Sequence, residues 1–396
     1  MQSKCKRFIF VGIGIVMPMM HYPPWIWAKA SLEETSSVST KTIPLENKRT
    51  QHSEEQKEDA VTPWQWNVGT TLIAQFAPNT ATTTHSPASV CTMDIQAQTK
   101  MNHKSVFQIV LETGNGTGMD AEIENLSGFN HAVINHTSML YSESWYERKW
   151  DTQGFVRIGK LDFSRLFDAN AVANDEHIQF LSSSFVNNRT IAWPNEHGLA
   201  LALQQSFSSN WHVRAGITDA QGSWEHAFSN PFGIVELHTQ AFWAGNEGNY
   251  RMILWGREDP IEERNSKSFG FATSLDQKIF SHCAGFLRFG YVHSKTLPVQ
   301  TALSGGMAIS GKVFGRPLDA LAVAIGVLKV PRSDVVSNHD TQTKDNQREI
   351  HVETYYLWAF SEKIMYTVDM QVNLQYREAK VVQSNVVIGM RFRISF

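Results

Sequence analysis

Residues 385–396 read NVVIGMRFRISF. Val386, Ile388, Met390, Phe392, Ile394 and Phe396 fill every second position, with Asn385, Val387, Gly389, Arg391, Arg393 and Ser395 between them. A β-strand sends alternate side chains to opposite faces, so this segment has one oily face and one face carrying two arginines. The oily face meets either a soluble core or hydrocarbon, and the rest of the chain has to decide which.

The same period of two runs through the chain from Trp64 onward, in segments of about ten residues. Trp211, Val213, Ala215 and Ile217 alternate with His212, Arg214, Gly216 and Thr218, and Gly285, Leu287, Phe289 and Tyr291 with Phe286, Arg288 and Gly290. The pattern predicts strands at 64–76, 89–99, 104–113, 137–149, 154–163, 198–207, 210–220, 232–244, 248–256, 267–277, 282–293, 304–314, 318–329, 348–360, 364–377 and 385–396. That makes about sixteen, an even number, as in single-chain outer-membrane barrels.

Short turns (151–153, 208–209, 245–247, 361–363) alternate with long links (114–136, 164–197, 221–231, 257–266, 294–303, 330–347). A barrel with tight turns on one side of a membrane and long loops on the other produces this rhythm, whereas a soluble sandwich has no reason to keep it. The link at 378–384 is shorter than the rhythm asks.

Composition agrees with crossing as strands. Hydrophobic residues make up 42% and charged residues 18%, and no run approaches the roughly 18–20 apolar residues of a membrane-spanning helix. The net charge of −3 gives no reason to expect nucleic acid as a partner. Lys4, Lys6 and Arg7, the apolar run Phe8–Met20 and Ala28-Lys29-Ala30 read as a cleaved signal peptide over 1–30. Residues 31–62 are rich in Ser, Thr, Glu, Lys and Gln and lack aromatics, so they read as a disordered polar tail. The barrel domain then occupies 63–396. Cys91 and Cys283 fall on apolar faces of distant strands and read as small hydrophobes rather than as a disulfide.

One stretch is more specific than any periodicity. GFVRIGKLDFSRLFDANAVANDEHIQFLSSSFVNNRTIAWP, residues 154–194, resembles the signature region of the carbohydrate-selective porins of the OprB type. GITDAQG (216–222), GRPLDALAVAIGV (315–327) and ETYYLWAF (353–360) resemble the same family, in its order. The turn after Leu374-Gln375-Tyr376 departs from the family's Asn-Pro-Gly. The resemblance implies an all-β, transmembrane antiparallel barrel in the bacterial outer membrane, passing small sugars passively through a water-filled lumen. It implies no cofactor, no metal and no catalysis. It further implies contact with outer-membrane lipid and the barrel-assembly machinery, for which the terminal Phe396 suits; monomer or homo-oligomer stays open.

In porins of this size the loop after the fifth strand commonly folds inward and narrows the lumen. Here that loop, 164–197, carries Arg165, Asp168, Asp175, Glu176, His177, Arg189 and Trp193, with helix-compatible runs such as Ala169 to Phe180, so short helices are expected within it. A neutral sugar needs donors and acceptors without one dominant charge, and mixed acidic and basic groups supply both. Trp193 or Trp145 offers a stacking face. Alternation points Arg157, Arg214, Arg251, Arg288, Arg391 and Arg393 into the lumen, with Glu143, Glu147 and Glu236 as partners. Tyr141 and Trp145 share the parity of Glu143 and Glu147, which leaves that strand ambiguous. On this facing, Arg391→Ala or Arg393→Ala alters ion selectivity and spares assembly, while Phe392→Lys or Phe396→Lys impairs assembly. Each of these groups also has a plain structural reading, as a salt-bridged wall residue or a loop cap.

Trp64, Trp66, Trp150, Trp211, Trp243, Trp255 and Trp358 read as an interfacial girdle. An outer-membrane enzyme is a rival function, but the chain has neither G-x-S-x-G nor H-E-x-x-H. A general diffusion porin or an anchoring barrel are the others.

Overall fold

A computed structural model describes residues 63–396 apart from 79–83, 135–136, 151–153, 225–226, 260–265, 295–296, 331–346 and 378–379. The expected signal peptide and polar tail, and the turn at 151–153, lie outside the described residues.

Sixteen strands follow one another: β1 (Gln65–Phe76), β2 (Ala88–Asn102), β3 (Ser105–Gly116), β4 (Leu140–Trp150), β5 (Gly154–Leu161), β6 (Gly198–Ser206), β7 (Trp211–Asp219) and β8 (Pro231–Trp243). Then come β9 (Asn246–Asp259), β10 (Ser266–Phe280), β11 (Cys283–His293), β12 (Thr301–Ser310), β13 (Ala320–Lys329), β14 (Arg348–Ala359), β15 (Ile364–Arg377) and β16 (Lys380–Ser395). Each pairs antiparallel with its sequence neighbours, and β16 pairs with β1 to close the barrel. Closure removes both sheet edges, the arrangement strands require inside a bilayer. The seam is carried by Leu72 opposite Phe392, Thr71 opposite Arg393, and hydrogen bonds between Val68 and Phe396.

Every strand expected from periodicity is present. The long–short rhythm has two exceptions. Residues 311–319, on the short-turn side, hold a 3-10 turn at Gly311–Phe314, and β16 starts at Lys380, leaving only 378–379 as the last link on the long-loop side. Val381 and Val382 extend the strand pattern upstream of Asn385, and both are exposed.

The two faces separate cleanly. Outward-pointing Leu254, Met252 and Ile325 are 62%, 55% and 52% exposed, while inward-pointing Glu236, His351, Glu353 and Gln371 are fully buried. In β16, Met390 is exposed and Arg391 is buried, and Phe396, just past its end, is exposed. The terminal arginines therefore point inside, and the oily row points out.

The ambiguity of β4 is resolved by a β-bulge. The β3–β4 register shifts between Val110, opposite Glu143, and Leu111, opposite Tyr141. An extra residue flips the parity at that point. Tyr141 consequently faces out, and Glu143, Trp145 and Glu147 all face in and are buried.

Trp255 does not belong to the outer girdle. It is 4% exposed, stacks on Phe232 with ring centroids 6.3 Å apart, and joins a cluster with Phe163, Phe167 and Ile253 inside the barrel. Its parity is that of Arg251, which faces in; the aromatic type suggested an interface that the register forbids. Trp64, Trp66, Trp150, Trp211 and Trp243 are exposed. Trp358 lies against Tyr356 and Tyr366.

Candidate functional site: a polar passage along the β1–β3 wall

The link between β5 and β6, residues 162–197, folds into the barrel and seals against most of the wall. Apolar contacts do part of this. Phe163, Phe167, Ile191 and Ala192 pack on Ala200, Ala202, Phe232, Trp255 and Ala272, and further along Phe180 and Phe185 pack on Phe286, Ala322, Ala324 and Tyr355. Small wall residues let the loop come close. A Cβ on Gly290 would collide with Thr190 Oγ1.

Charged wall residues do the rest, by satisfying the loop's backbone. Arg288 donates to the carbonyls of Ala173 (2.7 Å), Asp168 (2.9 Å) and Phe185, and to the side chains of Asp168 and Asn174 (both 3.2 Å). Arg391 donates to the carbonyls of Glu176 and Gln179, Arg214 to Leu166, and Arg257 to Ala192 and Trp193. Carboxylates take the opposite role. Glu236 accepts from Asp168 N, and Glu353 from the amides of Leu181 and Ser182. A buried irregular backbone must have its polar groups paired, and this loop meets that need with ions fixed on the strands. Asp168, fully buried at φ 57°, receives Asn188 N and the Arg288 guanidinium. Asp tolerates the left-handed region better than most residues.

The helix expected over Ala169–Phe180 does not form. Asn170 Oδ1 accepts from the amides of Val172 and Ala173, and Asp175 Oδ1 from that of His177. Such local side-chain bonds compete with helical ones. The loop's helix is a single turn, α1 (Ser183–Val186), capped by the Ser182 side chain on Ser184 N.

A second loop, residues 117–139 between β3 and β4, also enters. Its Leu126 and Ser127 amides are accepted by Glu349, and the Phe129 carbonyl accepts from Gln75 and Gln371. Met119, Ile123 and Phe129 pack on Ala77, Ala88 and Val387. Arg189 donates to the Leu126 carbonyl (2.9 Å) and so ties the two loops together.

A cavity of about 670 Å³ lies between these loops and the barrel wall, bounded by β1–β3 on one side and by Ala308, Ala320, Tyr355, Leu357 and Met365 of β12–β15 on another. Its wall carries a charged row. Arg393 Nη1 meets Asp94 Oδ1 at 3.3 Å, Asp94 stands directly opposite Glu112 in the β2–β3 register, and Arg165 Nη2 meets Glu112 Oε1 at 2.9 Å. Gly69 makes room for the first pair, since a Cβ there would sit 2.5 Å from Arg393 Nη2 and 2.6 Å from Asp94 Oδ1. Arg165, about half exposed (48%), also reaches Glu143 and Asp162, each at 3.3 Å. Asp175, Glu176 and His177 also line it, and His177 Nδ1 is 3.1 Å from Thr71 Oγ1, the hydroxyl that also accepts from Arg393. Burial pushes the Glu176 carboxyl up, with His177 opposing and Asp175 assisting. Burial, then Arg189, lowers His131 to about 4, which keeps it neutral at pH 7.

Most of the residues singled out from sequence thus fall into two sets. Arg165, Asp175, Glu176, His177 and Arg393 line the cavity. Arg214, Arg288, Arg391, Arg189, Asp168 and Glu236 spend their polar atoms on loop docking. Arg157 pairs with Glu147 at 2.7 Å and lies 3.8 Å over the Trp145 ring; Arg251 pairs with Asp276 at 2.7 Å. Trp145 and Trp193 do not line the cavity; Trp193 packs toward Phe232, and the aromatic side chain other than histidine on the lining is Tyr355. Arg391→Ala should therefore loosen the loop, in contrast to the pure selectivity change expected of an exposed lumen arginine. Sequence reasoning passed over Asp94, Glu112 and Asp162. The first two share strand parity with Gln96 and Val110 on the inner face, so alternation carried the signal.

A closed sixteen-stranded antiparallel barrel with a loop folded into it is the architecture of outer-membrane porins. Residues 256–396 match the family described as carbohydrate-selective porin, OprB family. The pieces at 315–327 and 353–360 lie inside the match; the stretch 154–194 and GITDAQG lie outside it. An uncharacterized protein of Aquifex aeolicus (strain VF5) is 27% identical over 157 residues, covering 40% of this chain and 45% of that protein. Among solved structures, the high-pH form of Pseudomonas putida OprB superposes with TM-score 0.67 at 13% identity, covering 84% of this chain and 94% of that one. An OmpT loop-deletion mutant of Vibrio cholerae gives 0.55 at 11%, covering 85% and 100%. At these identities the structural likeness speaks for the fold.

Proposed function

We infer that the protein is an outer-membrane porin through which small carbohydrates diffuse passively. The row Arg393, Asp94, Glu112, Arg165 carries this reading. It sets guanidinium donors and carboxylate acceptors side by side along the open cavity, and a sugar's hydroxyls both donate and accept. Several such modest contacts favour entry while leaving exit easy. Export through a cleaved signal peptide, insertion by the barrel-assembly machinery, contact with outer-membrane lipid and the absence of catalysis belong to the same reading.

Swelling of liposomes containing the purified protein tests it. Monosaccharides should enter faster than amino acids or salts of similar size. Equal rates for all these solutes would reduce the protein to a general diffusion porin.

A further inference from the structure

The charges on the cavity do not balance. Asp94, Glu112, Asp162, Asp175 and Glu176 line it against two guanidiniums, Arg165 and Arg393. Arg393 serves Asp94, while Arg165 is shared among Glu112, Asp162 and the buried Glu143. Near Asp175 and Glu176 the partner is His177, whose Nε2 lies 3.6 Å from Glu176 and whose amide donates to Asp175. With histidines counted neutral, five carboxylates against two arginines leave an excess of three negative charges on the lining.

A second observation points the same way. Asn187 and Thr92 both line the cavity and are 6% and 2% exposed, yet Asn187 Oδ1 and Thr92 Oγ1 have no hydrogen-bond partner among the described residues. Buried polar atoms are nearly always paired. Both atoms are sealed from solvent as the side chains stand, so a solute meets the Asn187 oxygen only when that side chain turns; the oxygen then accepts from a hydroxyl or an ammonium and has nothing to offer a carboxylate or phosphate.

We propose that the passage discriminates by charge among sugars, admitting neutral sugars and amino sugars and rejecting sugar acids and sugar phosphates. The proposal rests on the sugar-porin reading and names the solute class within it. A low-dielectric cleft with a net excess of one sign concentrates counter-ions and depletes co-ions.

Two measurements at a pH well above the carboxylate range test it. In planar bilayers under a KCl gradient, the reversal potential should give a potassium-to-chloride permeability ratio above unity. The double variant Asp175→Asn with Glu176→Gln should move that potential toward chloride. In liposome swelling, glucosamine should enter at least as fast as glucose, and glucuronate roughly tenfold more slowly, the scale on which such focusing acts. Chloride preference, or glucuronate entering as fast as glucose, overturns the proposal. Glucose entering no faster than an amino acid of its size overturns the sugar reading instead, and the reversal potential still decides the charge preference. Folded protein is verified for each variant by its faster migration on an unheated denaturing gel.

Discussion

Arg288→Ala is expected to release the inserted loop and raise single-channel conductance severalfold, with a matching rise in the size of solute that passes. Arg288 sits on β11, is 1% exposed, and commits its donors to one short span of loop, from Asp168 to Phe185. Alanine would leave the Asp168 carboxylate buried without that partner, an imbalance that costs about 3–5 kcal/mol when one member of a buried pair is lost. The carbonyls of Ala173 and Phe185 would lose their donor as well. A loop docked by such contacts has no strand ladder of its own to retain it. The barrel should still assemble, because the β10–β11 and β11–β12 ladders use backbone groups. Arg288→Lys should rescue little, since a single ammonium cannot reproduce a planar fork that reaches several acceptors at once. Bilayer conductance of the three proteins checks this; unchanged conductance in Arg288→Ala would mean the loop is held by its apolar contacts alone.

Phe392→Lys is expected to impair insertion. Phe392 faces outward on the closing strand, opposite Leu72 on β1 and Tyr366 on β15. A lysine on the lipid face costs about 2–4 kcal/mol at the bilayer midplane, falling to about 0–1 kcal/mol near the interfaces. The penalty falls on the seam that completes the barrel, so it should appear both as a lower yield of folded protein and as a lower urea midpoint. Recovery of wild-type amounts of heat-modifiable protein from membranes would show that this face is not in hydrocarbon.

Strand number, order and facing were legible in the sequence because alternation is a local property that closure does not alter. Where one extra residue enters, as between Glu143 and Tyr141, the parity rule breaks, and only the partner strand's register reveals it. The passage was half legible. Arg165, Glu176, His177 and Arg393 were reached through loop position and strand parity, while Asp94 and Glu112 lay on strands whose inner faces drew less attention than the arginines. Loop docking was not legible. That Arg288 and Arg391 hold backbone carbonyls, while Arg393 two residues away meets Asp94 on the open side, depends on how residues more than a hundred positions apart meet in space. Trp255 carries a related lesson, since residue type suggested an interface and the period of two placed it inside.

On this reading water runs along the inner side of the β1–β3 wall while hydrocarbon covers the opposite side of the same strands. In a background with Cys91 and Cys283, both free, replaced by alanine, Asp94→Cys and Leu72→Cys should be compared by adding a charged, membrane-impermeant thiol reagent during bilayer recording. Modification at 94 is expected to occur and to cut the current, while position 72 stays unmodified and its current steady. Reaction at 72 with silence at 94 would contradict the assignment of faces and place the passage elsewhere.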